Sequence, residues 1–157
     1  MMSKKRNLKT QRPLVLSAKS CTDLEIISSL VQDSILRKEN IKWQKKRHRF
    51  SMLLYRFRWE LLSNKKLESS SFRRIQTILI FDSVLGVSSR GLKNALLENV
   101  LSLLTIDLSP NRNFEEIKLI FSGNIMIKLQ AEFLDLRLKD LQTSNKAMIS
   151  SVPIHEI

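Results

Sequence analysis

Nine cations fall within 22 residues of this sequence: Arg37, Lys38, Lys42, Lys45, Lys46, Arg47, Arg49, Arg56 and Arg58, opposed by one acid, Glu39. Trp43, Phe50, Tyr55, Phe57 and Trp59 interleave with them. That mixture suits single-stranded or structured RNA, because cations neutralise phosphates while rings stack on bases. The competing reading is architectural. The aromatics alternate as core residues do, and cations on a strand edge and turn deter unwanted strand pairing. For the rings the core reading is favoured; for the cations the two stand level. Arg56 and Arg58 share a face opposite Phe57 and Trp59, which predicts the outer side of a sheet near its end. The candidate anion-binding set is Lys42, Lys45, Lys46, Arg47, Arg49, Arg56 and Arg58. Arg90 joins it, because Gly91 can supply a positive φ that presents the guanidinium fork to a carboxylate or phosphate. A turn with Arg90 paired to Asp82 or Glu98 is the equal alternative.

Other chemistry is thin. The stretch from Gly86 to Asn94 imitates a phosphate-binding loop, but Leu92 stands where the lysine belongs and Asn94 where a magnesium-holding hydroxyl belongs. Asp107, ending the run LSLLTID, imitates a magnesium-holding strand end. With only three glycines in the chain, a strand end and a turn are the better reading. His48 and His155 have no sequence neighbour suggesting a nucleophile–base pair. Glu115 and Glu116 are adjacent on a predicted strand and so point to opposite faces. One cysteine and two histidines do not make a closed zinc site. Cys21 reads as a small structural residue. No catalytic residue, metal or cofactor is implied.

The chain has 157 residues, 27 Lys plus Arg, 15 Asp plus Glu and a net charge of +12. Residues 1–90 carry a net +13 and residues 91–157 a net −1. An excess confined to one part points to an acidic partner: nucleic acid, an anionic membrane surface or an acidic protein. The 43% apolar share is enough for one core at this length. No apolar run approaches the roughly 20 residues that span a bilayer. Leu14-Val15-Leu16 is too short for a signal sequence's apolar core. These features predict a soluble, reducing-compartment protein.

The positioning elements follow from periodicity. Residues 1–12, with five cations and no acid, read as a disordered basic tail. Leu14–Ala18 reads as a strand. Thr22 and Glu25 form a capping box, and Leu24, Ile27, Val31 and Ile35 continue a helical stripe, so a helix is expected over 22–36. Residues 40–44 and 49–59 alternate around a polar turn, which predicts a hairpin. Residues 60–71 read as a loop and 72–87 as one long strand. A connection follows over 88–99, with a helical turn near Ala95. Val100–Leu108 reads as a strand. Ile117–Phe121 and Ile125–Ala131 form a hairpin about Ser122-Gly123-Asn124. The apolar phase then slips by one residue, read as a switch to a short helix at 133–141. Residues 142–157 read as a loosely ordered tail. The expected fold is a single α+β domain over 13–141. It is a mainly antiparallel curved sheet of six to seven strands, packed on one N-terminal helix, with a short C-terminal helix.

The segments DLEIISSLVQDSIL, RHRFSMLLYRFRWE, IFDSVLGVSSRGL, VLSLLTIDL and IKLIFSGNIMIKLQAEFLDLRLKDL together resemble an uncharacterised alphaproteobacterial family, domain of unknown function 2948. The resemblance runs from about Leu14 to the end. It implies a cytoplasmic bacterial protein and carries over no activity, substrate or cofactor. The shared elements are R-F-x-W-E, here Arg56 to Glu60, and S-R-G, here Ser89 to Gly91, which marks them as positions to probe. Family members are generally less basic than this chain.

Three functional expectations result. The first is a non-enzymatic binding module using the basic hairpin for RNA or another acidic partner. The second is a structural or protein-interaction protein, including a homodimer formed through a sheet edge or apolar face, with incidental charge. The third is a small enzyme or ligand-binder using Arg90, Asp82 and Arg56.

Overall fold

The computed structural model describes residues 13–61, 74–95 and 100–141. The expected tails, 1–12 and 142–157, lie outside the described residues, as does nearly all of the expected loop 60–71. Among the described residues one α-helix, α1 (Cys21–Leu30), accompanies ten strands. These are β1 (Val15–Ala18), β2 (Ser34–Arg37), β3 (Ile41–Gln44), β4 (Arg49–Arg56), β5 (Ile75–Phe81), β6 (Val84–Arg90), β7 (Val100–Pro110), β8 (Glu115–Phe121), β9 (Ile125–Ala131) and β10 (Leu136–Asp140). The fold is a sheet-dominated α+β one. Ten strands replace the expected six to seven, and the C-terminal helix expected at 133–141 is instead strand β10.

Helix α1 begins and ends earlier than its apolar stripe suggests. Its N-cap is Ser20, whose Oγ accepts from the Asp23 N–H at 3.2 Å, so the cap lies two residues before Thr22. Leu24, Ile27 and Val31 enter the core as the stripe requires. The helix stops because Asp33 adopts φ 63° and its N–H turns to the Leu103 carbonyl at 2.7 Å. The chain then runs into β2, where Ser34 and Leu36 face inward and Ile35 faces out.

All strand pairs are antiparallel, in the order β1-β10-β5-β4-β2-β7-β8-β9-β6, with β3 added on β4. The far members of that order are chain neighbours. Only Asp82 and Ser83 separate β5 from β6, and only residues 132–135 separate β9 from β10. Across this corner the ladder continues: Asp82 N–H donates to the Asp135 carbonyl and Glu132 N–H to the Ser83 carbonyl, both at 2.9 Å. One long bent ribbon, β5–β6 against β9–β10, therefore rolls the sheet back on itself. Ser83, at φ 62°, takes the bend. The expected single strand over 72–87 is broken here. The phase slip after Ala131 marks the opposite side of the same corner, not a helix.

Rolling lets one face of every strand share one core. Phe50, Met52 and Leu54 of β4 join Leu79 and Phe81 of β5, Leu119 of β8 and Leu129 of β9 in a single buried cluster. The thinnest seam is β2 against β4, paired only at Ile35 and Tyr55. Side chains reinforce it. Arg74 Nη1 donates to the Asp33 carbonyl at 2.8 Å and to the Tyr55 carbonyl at 3.4 Å, while Trp59 Nε1 donates to the Gln32 carbonyl at 3.1 Å.

Candidate functional site

The inward phase of β4 reads Phe50, Met52, Leu54, and the next member is Arg56. Arg56 is therefore fully buried, not on the outer side of the sheet as its spacing with Arg58 suggested. Its five N–H donors are all engaged. Nε donates to Asp140 Oδ1 at 2.9 Å. Nη1 donates to the Phe57 carbonyl at 3.2 Å and Glu60 Oε1 at 2.8 Å. Nη2 donates to Glu60 Oε2 at 2.6 Å and Asp140 Oδ2 at 2.8 Å. A guanidinium has no sixth donor, so this one has nothing left for a ligand.

The carboxylates complete a closed network. Asp140 also accepts from Thr77 Oγ1 at 2.7 Å and from the Leu14 N–H at 3.0 Å. Burial pushes the Asp140 carboxyl up, but the hydrogen bonds from Arg56, Leu14 and Thr77 outweigh it and hold the group below its usual range. Glu60 follows the same pattern: burial pushes it up, and the Arg56 hydrogen bonds, a backbone hydrogen bond and the Arg56 charge together bring it below its usual range. Burial alone would lower Arg56, yet the two carboxylates raise it, so it stays cationic. The R-F-x-W-E element is thus a clamp. Arg56 joins β4 to β10, Glu60 closes the guanidinium, Trp59 fastens the turn after α1, and Phe57 meets Trp59 edge-on with centroids 4.7 Å apart.

The remaining cations separate into groups. Lys42 projects outward from β3, an edge strand, and Lys45, Lys46 and Arg47 form the exposed 3₁₀ turn that follows. His48 closes that turn at φ 54°, and its N–H donates to the Lys45 carbonyl at 3.1 Å. Arg49 is spent on Asp82: Nε reaches Oδ1 at 2.7 Å, while Arg137 Nη2 reaches Oδ2 at 2.9 Å. Arg58 is half-buried with its Nε unpaired. Arg90 is exposed at the end of β6, and Gly91 does take the expected positive φ, 79°. The S-R-G element is a close-packing device, because a Cβ on Gly91 would lie 2.6 Å from the Asn124 carbonyl oxygen.

These positions gather some of the expected residues and scatter others. Lys42, Lys45, Lys46, Arg47 and Arg49 share one hairpin. Arg56 sits at its far end, beside Ile75, whereas Asp82 follows Phe81 beside Phe50. Roughly six residues of strand, about 20 Å, separate them. Arg90 lies at the opposite end of β6 from Asp82. The phosphate-loop likeness covers the second part of β6, from Gly86 to Arg90, which starts at a register shift between Val84 and Gly86, and continues through Gly91 into a 3₁₀ turn at Leu92–Ala95. Cys21 is exposed at the start of α1, and among the described residues no group of three or more His, Cys, Asp or Glu could hold a metal. The aromatics follow the core reading favoured for them rather than a displayed platform. Trp43 and Phe50 pair on the inward side, and none of Trp43, Phe50, Tyr55, Phe57 and Trp59 is exposed.

Sequence reasoning missed the structural partners Asp140, Thr77 and Arg137, which lie 84, 63 and 55 residues from the groups they hold. It also missed the outward apolar residues of β5, whose period-two pattern was visible.

Residues 14–155 match the family described as "Protein of unknown function (DUF2948)". A crystal structure of an uncharacterized protein from Neisseria gonorrhoeae is similar at 12% identity and a TM-score of 0.40, covering 78% of this chain and 96% of that one. No curated protein matches the chain. Among the described residues, no helix is long and apolar enough to cross a membrane.

Proposed function

This chain belongs to the DUF2948 family, and we propose that it is a non-enzymatic binding module whose basic hairpin engages an acidic partner. The observation that carries this reading is the edge of β3 and its turn. Lys42, Lys45, Lys46 and Arg47 are exposed there together, and none of the described carboxylates forms an ion pair with them. An acidic protein is favoured over RNA. Phosphate neutralisation needs only cations, but recognition of single-stranded RNA also needs rings open to bases; Trp43 and Phe50 are turned inward and Phe57 and Trp59 pack on one another, which leaves the half-buried Tyr55 as the outward ring. The closed Arg56 network favours binding over catalysis, since its charged groups are fully committed to each other.

The test is fluorescence anisotropy with a labelled acidic peptide and the full chain at rising salt. Lys45→Ala, Lys46→Ala and Arg47→Ala together should weaken binding about tenfold, the sum of three modest exposed charge interactions. They should also flatten its salt dependence. Binding that is undetectable at low salt, or indifferent to salt, would remove this function.

A further inference from the structure

We infer that the outer face of the sheet seats an acidic amphipathic helix of a partner protein, laid across β5, β4, β2 and β7. This deepens the binding reading above and rests on it.

The strand register puts an apolar strip on that face. Leu53 stands directly opposite Ile78, both on the outward side and half-buried. Tyr55, the next outward residue of β4, stands opposite Ile35, which is 37% exposed. Ile35 in turn faces Ser102 on β7, flanked outward by Val100 at 43% and Leu104 at 39% exposure. Apolar side chains therefore cross four neighbouring strands, with Ser51, Gln76 and Ser102 as uncharged polar neighbours. Isolated exposed apolar residues need no explanation, but a strip continuous over four strands marks an interaction surface.

Charge around the strip specifies the occupant. Lys139 lies opposite Ile78, and Arg137 lies opposite Ile80 on the same outward side. Lys42 faces Ser51, Arg49 sits one step further along β4, and Arg37 lies opposite Val100. Asp82 lies among them with both oxygens already held by Arg49 and Arg137, and Glu39 stands between Arg37 and Lys42 along the chain. An apolar line with cations at both ends and along one side complements an apolar stripe bordered by carboxylates. Four strands span about 14 Å between their outer members, and a helix advances about 5.4 Å per turn. Apolar residues at i, i+3 or i+4 and i+7 would therefore meet three successive strands over about two turns, and one further residue at i+11 would meet the fourth.

Two labelled 15-residue acidic helical peptides of equal charge test this, one with Leu at i, i+4 and i+7 and one with Ser there. Against the full chain, the Leu peptide should bind about tenfold more tightly. Leu53→Asp or Ile78→Asp should erase that difference while leaving the weaker, salt-sensitive binding of the Ser peptide. If either variant fails to fold by circular dichroism, Ile78→Thr serves, with a reduced but measurable narrowing. Equal binding of the two peptides, or an unchanged preference in the folded variants, overturns the strip. Failure of both peptides at low salt overturns the binding module itself. A uridine 15-mer that binds more tightly than either peptide and ignores the variants assigns the face to RNA. Light scattering that shows a dimer dispersed by Ile78→Asp assigns it to a second copy. Either result overturns the helix.

Discussion

Replacing Asp140 by Asn tests whether the buried charge network holds this sheet together. The substitution keeps the volume and removes the negative charge facing Arg56, whose side chain has no exposure. One amide position now presents N–H toward donors. In the orientation that keeps Thr77 Oγ1 and Arg56 Nε satisfied, the new NH₂ faces both Arg56 Nη2 and the Leu14 N–H, which Oδ2 accepts at 2.8 and 3.0 Å. Glu60 still balances part of the guanidinium. Removing one partner of a buried pair typically costs about 3–5 kcal/mol, and much of that is the charge left behind. In a domain with total stability of roughly 5–15 kcal/mol, this is a large fraction. The midpoint of thermal unfolding should fall by roughly 6–20 °C, at about 2–4 °C per kcal/mol for this size.

Guanidinium chloride denaturation of both proteins, followed by tryptophan fluorescence, measures the loss. A companion variant isolates its cause. Arg56→Met with Asp140→Leu removes both fully buried charges and should be milder than Asp140→Asn alone, because the carboxylate left behind, Glu60, is 30% exposed and keeps access to water. A single variant within about 1 kcal/mol of the parent, or a double variant worse than the single, would refute the argument that this ion is captive.

The other predictions follow from the same contacts. Asp140 and Glu60 have folded-state pKa values held down by Arg56. Their stabilisation is therefore complete above the unfolded carboxyl values, about pH 4–5, and disappears as pH falls through the lower folded values. Denaturation midpoints measured from pH 7 to pH 2 should show that acid limb, and Asp140→Asn should flatten it. Thr77→Val removes the donor that reaches Asp140 Oδ1 at 2.7 Å and should cost about 1–2 kcal/mol by thermal melting. Gly91→Ala places a Cβ 2.6 Å from the Asn124 carbonyl oxygen at φ 79°, so differential scanning fluorimetry should show a loss of about 1–3 kcal/mol.

Local pattern and long-range closure divide what the sequence reveals. The turn Ser122-Gly123-Asn124 and its two strands follow from alternation and turn chemistry, which act over a few residues. Leu24, Ile27 and Val31 mark the buried face of α1 for the same reason. The errors share one cause, that period alone does not say where a chain bends. Ile35 extends the helical stripe by one turn, yet Asp33 has already ended the helix. The slip between Ala131 and Leu134 has the signature of a helix start, but it compensates for the corner at Asp82 and Ser83. The strand total was short because β2 was read as the end of the helix, β10 as a C-terminal helix, and β5 and β6 as one strand.

Arg56 shows the same limit for the candidate site. Its spacing from Arg58 suggests a shared outer face only if residues 57 and 58 continue the strand, and β4 ends at Arg56. The decisive pattern is the one behind it, because Phe50, Met52 and Leu54 place position 56 inside whatever its charge. The local sequence supplies one acid, Glu60, but nothing local names the second, buried one that makes a buried arginine tolerable; that acid is Asp140, supplied by the last strand. The nine cations of residues 37–58 therefore play different parts. Arg56 closes the sheet, and Arg49 is bound to Asp82. Lys42, Lys45, Lys46 and Arg47 remain in solvent at an edge where they also discourage strand addition. An acidic partner meets a smaller charge than the sequence tally implies. Affinity must then come from the aliphatic strip beside those cations as well as from charge, because exposed ion pairs contribute only about 0–1 kcal/mol each.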